Sequence, residues 1–148
     1  MHLNDSSRAW IKRAGEVARA YHQNRAELGR RKRYDRKAVC LDMPKSKGIS
    51  KPVEQAALRI ASNTRINQLE KEIEAVEWAF SVLEQMPGQD AAALLSFADT
   101  LYRRRDHPSV EGCARVMFMN RATAFRYNRY FLKLVAARLG IWAPKESA

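Results

Sequence analysis

The feature that most constrains the fold is a long segment, Pro52 to Met86, in which apolar residues recur every three or four positions. Alternating steps of three and four place side chains along one face of an α-helix, as in a coiled-coil seam. Pro52 suits a first helical turn, and Pro87-Gly88 is a natural stop. An unbroken helix of this length would span about 50 Å, but we predict a break near Ser62-Asn63-Thr64. The seam residues are Ile66, Leu69, Ile73, Val76, Phe80 and Leu83.

Glutamates follow this seam on one flank. Glu70, Glu77 and Glu84 recur every seven residues and take equivalent positions beside the seam. A parallel homodimer would oppose these glutamates with no lysine to relieve them, which disfavours a self-paired coiled coil. A second apolar face, which includes Trp78, also needs cover, so we interpret the helix as central packing rather than a dimerisation seam. We expect these four residues to make a protein contact, either with the chain's own basic segments or with a partner such as RNA polymerase. A homo-oligomer formed through other surfaces stays open.

The residues before this helix are strongly basic. Apolar residues at helical spacing predict an amphipathic helix from about Ser6 to Leu28, ended by Gly29. Residues 30–37 contain six Lys or Arg and one Tyr, which is typical of a solvated arm or of a phosphate-binding one. Residues 42–51 are the best linker candidate. The residues of the basic run expected to bind nucleic acid are Arg30, Arg31, Lys32 and Arg33.

The C-terminal third has the outline of a helix-turn-helix. A helix is predicted over residues 90–105, and residues 106–108 break the chain after it. Ser109 and Asn120 each precede a helix-like run, where a side-chain oxygen can accept from the amides of the first turn. The two caps predict a short helix followed by a longer basic one. Gly140 is predicted to end the longer helix in a left-handed conformation.

The connection between these two helices carries an unusual residue. Phe118 occupies the position where a helix-turn-helix normally has a glycine with positive φ, a conformation that is costly for an aromatic residue. We therefore expect a turn that is longer than usual. Ala114 is predicted to be the small residue where the helices touch. The other positions predicted to be buried are Cys113, Met117, Met119, Ala124 and Tyr127.

Polar and basic side chains of the second helix are the predicted DNA-reading residues. Arg126, Arg129 and Lys133 recur at i, i+3 and i+7 on one face, and Arg121 projects from the first turn. The residues of the C-terminal third expected to contact DNA are Arg121, Thr123, Phe125, Arg126, Arg129, Lys133, Arg103, Arg104 and Arg105.

The charge of the chain points to the same partner. The 148 residues include 27 Lys or Arg and 16 Asp or Glu, a formal net charge of +11. Two basic ends, +9 over residues 1–51 and +7 over residues 101–148, enclose a middle of −5. Basic surface of this density favours polyanions through phosphate contacts and counterion release, which makes nucleic acid the leading partner. The helix-turn-helix outline specifies double-stranded DNA.

Other functional classes have little support in the sequence. The histidines and cysteines lack metal-ligand spacing, and there is no phosphate-binding glycine loop or nucleophile elbow. We expect no metal, no cofactor and no enzymatic activity. Glu70-Lys71-Glu72 could suggest a nuclease-like cluster, but an exposed charged helix flank is the simpler interpretation. Two distant cysteines, with neither a signal peptide nor a membrane-spanning stretch, predict a cytoplasmic protein that contacts no membrane.

Five short motifs in residues 50–142 carry a family resemblance. They are Lys51-Pro-Val-Glu54, Leu101-Tyr-Arg103, Ser109-Val-Glu111 with Ala114, Asn120-Arg121 with Thr123 and Arg126, and Leu139-Gly-Ile141. In this order they resemble the ArpU/RinA family of phage late-gene transcription regulators. The resemblance implies a C-terminal half similar to the promoter-reading helix-turn-helix of bacterial sigma factors. Phage antitermination proteins of the Q type look similar at this level.

We predict an all-α protein in three parts. Residues 1–49 would form a basic helix and arm, residues 50–88 a central acidic coiled-coil-like helix, and residues 89–148 a sigma-like helix-turn-helix bundle. The expected function is sequence-specific DNA binding in the regulation of transcription, of phage or prophage late genes on the resemblance. The alternatives are a Q-type antitermination factor that contacts RNA polymerase and DNA, and a non-enzymatic helical interaction protein with basic ends.

Overall fold

The computed structural model describes residues 3–41, 52–104, 106 and 108–143, and in these ranges the fold is all-helical, as predicted. Six α-helices and one π-helical turn are present, with no strand among the described residues. In chain order they are α1 (Leu3–Arg19), α2 (Tyr21–Leu41), α3 (Pro52–Gln85), α4 (Gln89–Ala98), the π turn (Asp99–Arg103), α5 (Val110–Val116) and α6 (Arg121–Leu139). Within these ranges no helix is both long and apolar enough to cross a membrane.

The long helix α3 is the centre of the packing, and α1, α2, α4 and α6 all pack against it. The seam residues Leu69, Ile73, Val76, Phe80 and Leu83 are buried, so the central-packing interpretation is correct for them. The predicted break at Ser62-Asn63-Thr64 is wrong, because α3 is continuous. The Thr64 hydroxyl donates to the carbonyl oxygen of Ile60 at 2.8 Å and is satisfied within the helix.

The N-terminal region differs from the predicted helix and arm. The helix from residue 6 to residue 28 is divided at Ala20 into α1 and α2, while α2 continues through Gly29 to Leu41. Gly29 therefore does not end the helix, and residues 30–33 are helical rather than an irregular arm. An internal glycine costs only about 1 kcal/mol and keeps its backbone N–H, so packing of Leu28 on the core can carry the helix past it.

The C-terminal segment forms a three-helix unit. The predicted helix over residues 90–105 is observed as α4 and the π turn, which end at Arg103. Tyr102 stacks on Phe131 of α6 with ring centroids 5.1 Å apart, and Phe80 of α3 lies 4.9 Å from the same ring. Gly140 caps α6 with φ of 78°, as predicted. Side chains from all three predicted segments contribute to one hydrophobic core.

Candidate nucleic-acid interface

Helices α5 and α6 both begin at the predicted caps. The Ser109 hydroxyl accepts a hydrogen bond from the Gly112 amide at 3.0 Å, and the Asn120 side-chain oxygen accepts from the Ala122 amide at 3.2 Å. Each cap satisfies an amide that has no partner within its helix. The starting points of α5 and α6 are therefore fixed by local sequence.

Residues 117–120 connect α5 to α6, so the turn has the usual length and the expectation of a longer one is wrong. Phe118 adopts φ of 53°, which is the left-handed conformation that a glycine usually supplies in this turn. The Phe118 amide donates to the carbonyl oxygen of Arg115 at 3.2 Å, and the Met119 amide donates to that of Ala114 at 2.8 Å. These bonds close the C-terminus of α5. The side chain of Phe118 is 99% exposed and packs against nothing.

The inner surface of the motif is apolar, as the sequence predicted. Cys113, Ala114 and Ala124 are buried. Met117, Met119 and Tyr127 are half-buried and pack against the core. The Cys113 thiol donates to the carbonyl oxygen of Phe97 at 3.7 Å, and burial raises the pKa of this thiol. The neutral thiol is thus favoured, which fits a structural role.

The opposite side of α6 is exposed over its first turns. Arg121, Phe125, Arg126 and Arg129 are all exposed. Nη2 of Arg121 lies 2.9 Å from Oε1 of Glu111 on α5, and its guanidinium lies 5.5 Å from the Phe125 ring centroid. Both members of the ion pair are well solvated, since their side chains are 72% and 47% exposed, so the pair holds Arg121 only weakly.

Two further predicted residues of α6 lie at the margins of this face. Nη2 of Arg126 lies 3.4 Å from the Thr123 hydroxyl, and Thr123 is half-buried. Lys133 is also half-buried, with Nζ 5.6 Å from the centroid of the Trp142 ring. The exposed cations closest to the start of the helix are therefore Arg121, Arg126 and Arg129.

Arg103 is not on this face. Its guanidinium lies 3.8 Å from the centroid of the Phe80 ring, and its nitrogens lie 3.8 Å from Glu84 and 3.4 Å from Asp99. These contacts hold the side chain against α3, and its assignment as a DNA contact stays a prediction. Arg104 is exposed, and Arg105 lies outside the described residues.

The basic run on α2 is also partly occupied by internal contacts. Nζ of Lys32 lies 3.2 Å from Oε1 of Glu70 on α3, and Nη2 of Arg31 lies 3.6 Å from Oε1 of Glu27. Arg30 is exposed, and Arg33 donates to the carbonyl oxygen of Gly29 at 3.2 Å. The charges of Arg30 and Arg33 remain the most available of the four to a phosphate.

The acidic flank of α3 faces the chain's own polar and basic groups. Besides the contact of Glu70 with Lys32, Glu77 accepts from the Tyr21 hydroxyl at 2.9 Å, and Glu84 lies beside Arg103. Trp78 is half-buried, and the Arg138 guanidinium lies 5.5 Å from a ring centroid of its indole. All three glutamates therefore contact side chains of the same chain.

Two groups near the candidate interface were not identified as site residues from the sequence. Glu111 of the motif Ser109-Val-Glu111 pairs with Arg121, and nothing in the sequence pattern indicates this pairing. Tyr130, which is 42% exposed, lines a groove of about 410 Å³ together with Arg126, Met86 and Asp90. The i, i+4 spacing of Arg126 and Tyr130 was the available signal, but the groove wall from α3 and α4 is formed only in the tertiary structure.

The residues described contain no group of three His, Cys, Asp or Glu side chains placed to hold a metal ion. Comparison of the whole chain with protein-family models, with curated proteins and with solved structures gives no match.

Proposed function

We propose that this protein is a sequence-specific double-stranded DNA-binding regulator of transcription that places the start of α6 in the major groove. The observation that carries the proposal is the arrangement of α6, which packs on α3, α4 and α5 and leaves Arg121, Arg126 and Arg129 exposed at its N-terminal half. A capped helix that presents basic side chains beyond a short preceding helix is the geometry by which helix-turn-helix proteins read base edges.

Electrostatics support the same proposal. The formal net charge of +11 favours binding to any polyanion. Lys32, Arg103 and Arg138, however, pair with carboxylates of the same chain and are less available to phosphates. On α6, Arg126 and Arg129 are exposed and form no ion pair with a carboxylate of the described residues. Positive charge thus remains at the end of α6 that the motif would direct to DNA.

The resemblance to ArpU/RinA regulators supplies the finer form of the proposal. On that resemblance the regulated genes are phage or prophage late genes, and the protein acts in the cytoplasm of the host bacterium. The acidic flank of α3 adds no support to a polymerase contact, because Glu70, Glu77 and Glu84 already have partners within the chain.

The proposal is tested by selecting duplexes from a random-sequence library with the full chain. We expect recovery of a preferred sequence, and Arg126→Ala and Arg129→Ala should each weaken binding to it by about 1–3 kcal/mol at one base position if the arginine reads a guanine edge. Arg138→Ala is the matched control: it removes the same charge from the same helix, but Arg138 pairs with Glu74 of α3 at 2.8 Å. Equal losses in all three variants would show that binding depends on net charge alone, and would contradict the reading of base sequence by α6.

A further inference from the structure

An apolar corner lies at the entrance to the candidate interface. Val116 ends α5, Phe118 follows in the turn, and Phe125 lies one turn into α6; their residue exposures are 62%, 99% and 43%. A single exposed apolar side chain is ordinary on a protein surface. Three of them lie within ten residues of the chain, in the same segment as the exposed Arg121 at the start of α6.

Phe118 is unfavourable for the stability of the folded chain. Among the described residues it is the only non-glycine with positive φ, and glycine would adopt that conformation without steric strain. The phenyl ring makes no packing contact that could offset the strain, because it is almost fully exposed. A strained backbone with an exposed aromatic side chain indicates that the ring serves a contact outside the chain.

The position of Phe118 defines which contact it can make. It precedes Arg121 by three residues, and therefore lies at the same end of α6 that carries the exposed arginines. If that end enters the major groove, Phe118 and Phe125 are brought to the edge of the bases. The apolar group on the floor of the major groove is the 5-methyl of thymine, which phenyl rings contact.

We propose that Phe118 recognises a thymine through its 5-methyl group. This inference rests on the proposed function and deepens it, because it assigns a specificity-determining residue to the turn rather than to the helix. It predicts an A·T pair at a defined place in the recognised sequence, at the side contacted by the start of α6.

The test uses a duplex that the unchanged protein selects from the random library. Each thymine is replaced in turn by deoxyuridine, which pairs identically but lacks the methyl group. The unchanged protein should lose about fourfold in affinity at one thymine, the value of one buried methyl group. The affinity of Phe118→Gly for the thymine duplex should be no higher than that of the unchanged protein for the deoxyuridine duplex. Phe118→Gly should bind the thymine and deoxyuridine duplexes equally well. Its thermal stability should equal or exceed that of the unchanged protein.

Two variants complete the design. Phe118→Leu retains an apolar side chain and should keep part of the discrimination between thymine and deoxyuridine. Ile141→Ala removes an exposed apolar side chain that follows the C-terminal cap of α6, at the opposite end from the turn, and it should leave that discrimination intact.

Three results would overturn the thymine contact. One is Phe118→Gly with unchanged affinity and unchanged discrimination. Another is a loss of affinity in Phe118→Gly while the discrimination between thymine and deoxyuridine remains, which would place the ring against the sugar-phosphate backbone. The third is a Phe118→Gly variant that binds DNA fully but gives reduced transcription, which would place the Phe118 ring against a protein. A library that yields no preferred sequence would instead overturn the proposed function, and the thymine contact with it.

Discussion

Nη2 of Arg13 on α1 donates a hydrogen bond to Oε1 of Glu72 on α3 at 2.6 Å. Glu72 is only 7% exposed, and its second oxygen accepts from Nδ2 of Asn24 on α2 at 3.0 Å. Gln68 also approaches the first oxygen at 3.4 Å. The interpretation of residues 70–72 as an exposed charged flank is therefore wrong for Glu72, whose carboxylate joins three helices. Donors from several elements satisfy this buried charge.

Glu72→Ala should lower the free energy of unfolding by about 1–3 kcal/mol, because the buried amide of Asn24 loses its acceptor. Chemical denaturation measures the loss. Glu74→Ala is the control, since Glu74 also pairs with an arginine but its side chain is 49% exposed, and its loss should stay below about 1 kcal/mol. Equal effects of the two substitutions would show that burial of Glu72 adds nothing to stability.

Replacing Glu70, Glu77 and Glu84 together by Gln should lower the thermal unfolding temperature by a few degrees. Their partners are Lys32, Tyr21 and Arg103, and the two ion pairs lie at solvent-accessible positions. Salt screens such pairs, so the difference from the unchanged protein should shrink at high ionic strength. A variant with unchanged stability but reduced transcription would contradict this result and identify the flank as a partner surface.

The basic run of α2 should bind phosphates through Arg30 and Arg33 more than through Arg31 and Lys32, which pair with Glu27 and Glu70. Replacing Arg30 and Arg33 by Gln should reduce the slope of log affinity against log salt by up to about 1.8, without changing sequence preference. The matched double variant at Arg31 and Lys32 should lower stability more and the slope less. Identical slopes for the first double variant and the parent would remove α2 from the interface.

Two glycines should respond in opposite ways to alanine. Gly140 has φ of 78°, so Gly140→Ala should destabilise the fold by about 1–2 kcal/mol through left-handed strain. Gly15 is inside α1, and an added Cβ would meet Cδ1 of Leu132 at an ordinary 3.9 Å. Gly15→Ala should therefore stabilise by about 0.5–1 kcal/mol. A stability loss at both positions in denaturation experiments would indicate that α1 and α6 pack more tightly than described.

Stability should fall at alkaline pH because of two buried acids. Burial raises the pKa of Tyr102 above its ordinary 10.0 and that of Cys113 above 9.0. Both are neutral when protonated, so their contribution is complete below about pH 8 and is lost as the unfolded state ionises at higher pH. Each group adds a slope of at most about 1.4 kcal/mol per pH unit.

Tyr102→Phe isolates one of these contributions. The Tyr102 hydroxyl donates to the side-chain oxygen of Asn128, so the variant should be less stable by about 1 kcal/mol near neutral pH. Its stability should then fall less steeply than that of the parent above about pH 10, as measured by urea unfolding at several pH values. Parallel pH profiles of the two proteins would contradict the raised pKa of Tyr102.

Local features of the candidate site could be predicted from the sequence. Ser109, Asn120 and Gly140 fix helix ends through contacts with residues within about four positions, so no distant partner is needed to find them. The exposure of Arg126 and Arg129 follows from helical spacing relative to buried Phe131. The contacts of Arg103 with Phe80 and Glu84 could not be predicted, because both partners lie on another helix.

Side-chain periodicity and backbone hydrogen bonding over a few turns account for the all-helical class, the capped helix ends and the buried seam of α3, and both can be inferred from the sequence. The sequence did not show that α2 continues past Gly29, that α3 passes Thr64 unbroken or that Glu72 is buried, and these features are visible in the folded structure alone. At Thr64 the hydroxyl is satisfied within α3 itself, so the helix continues without a partner helix there. At Gly29 and Glu72 packing and pairing across helices outweigh a local preference of about 1 kcal/mol or less per residue. The same contacts decided which cations are neutralised within the chain and which remain exposed at the start of α6.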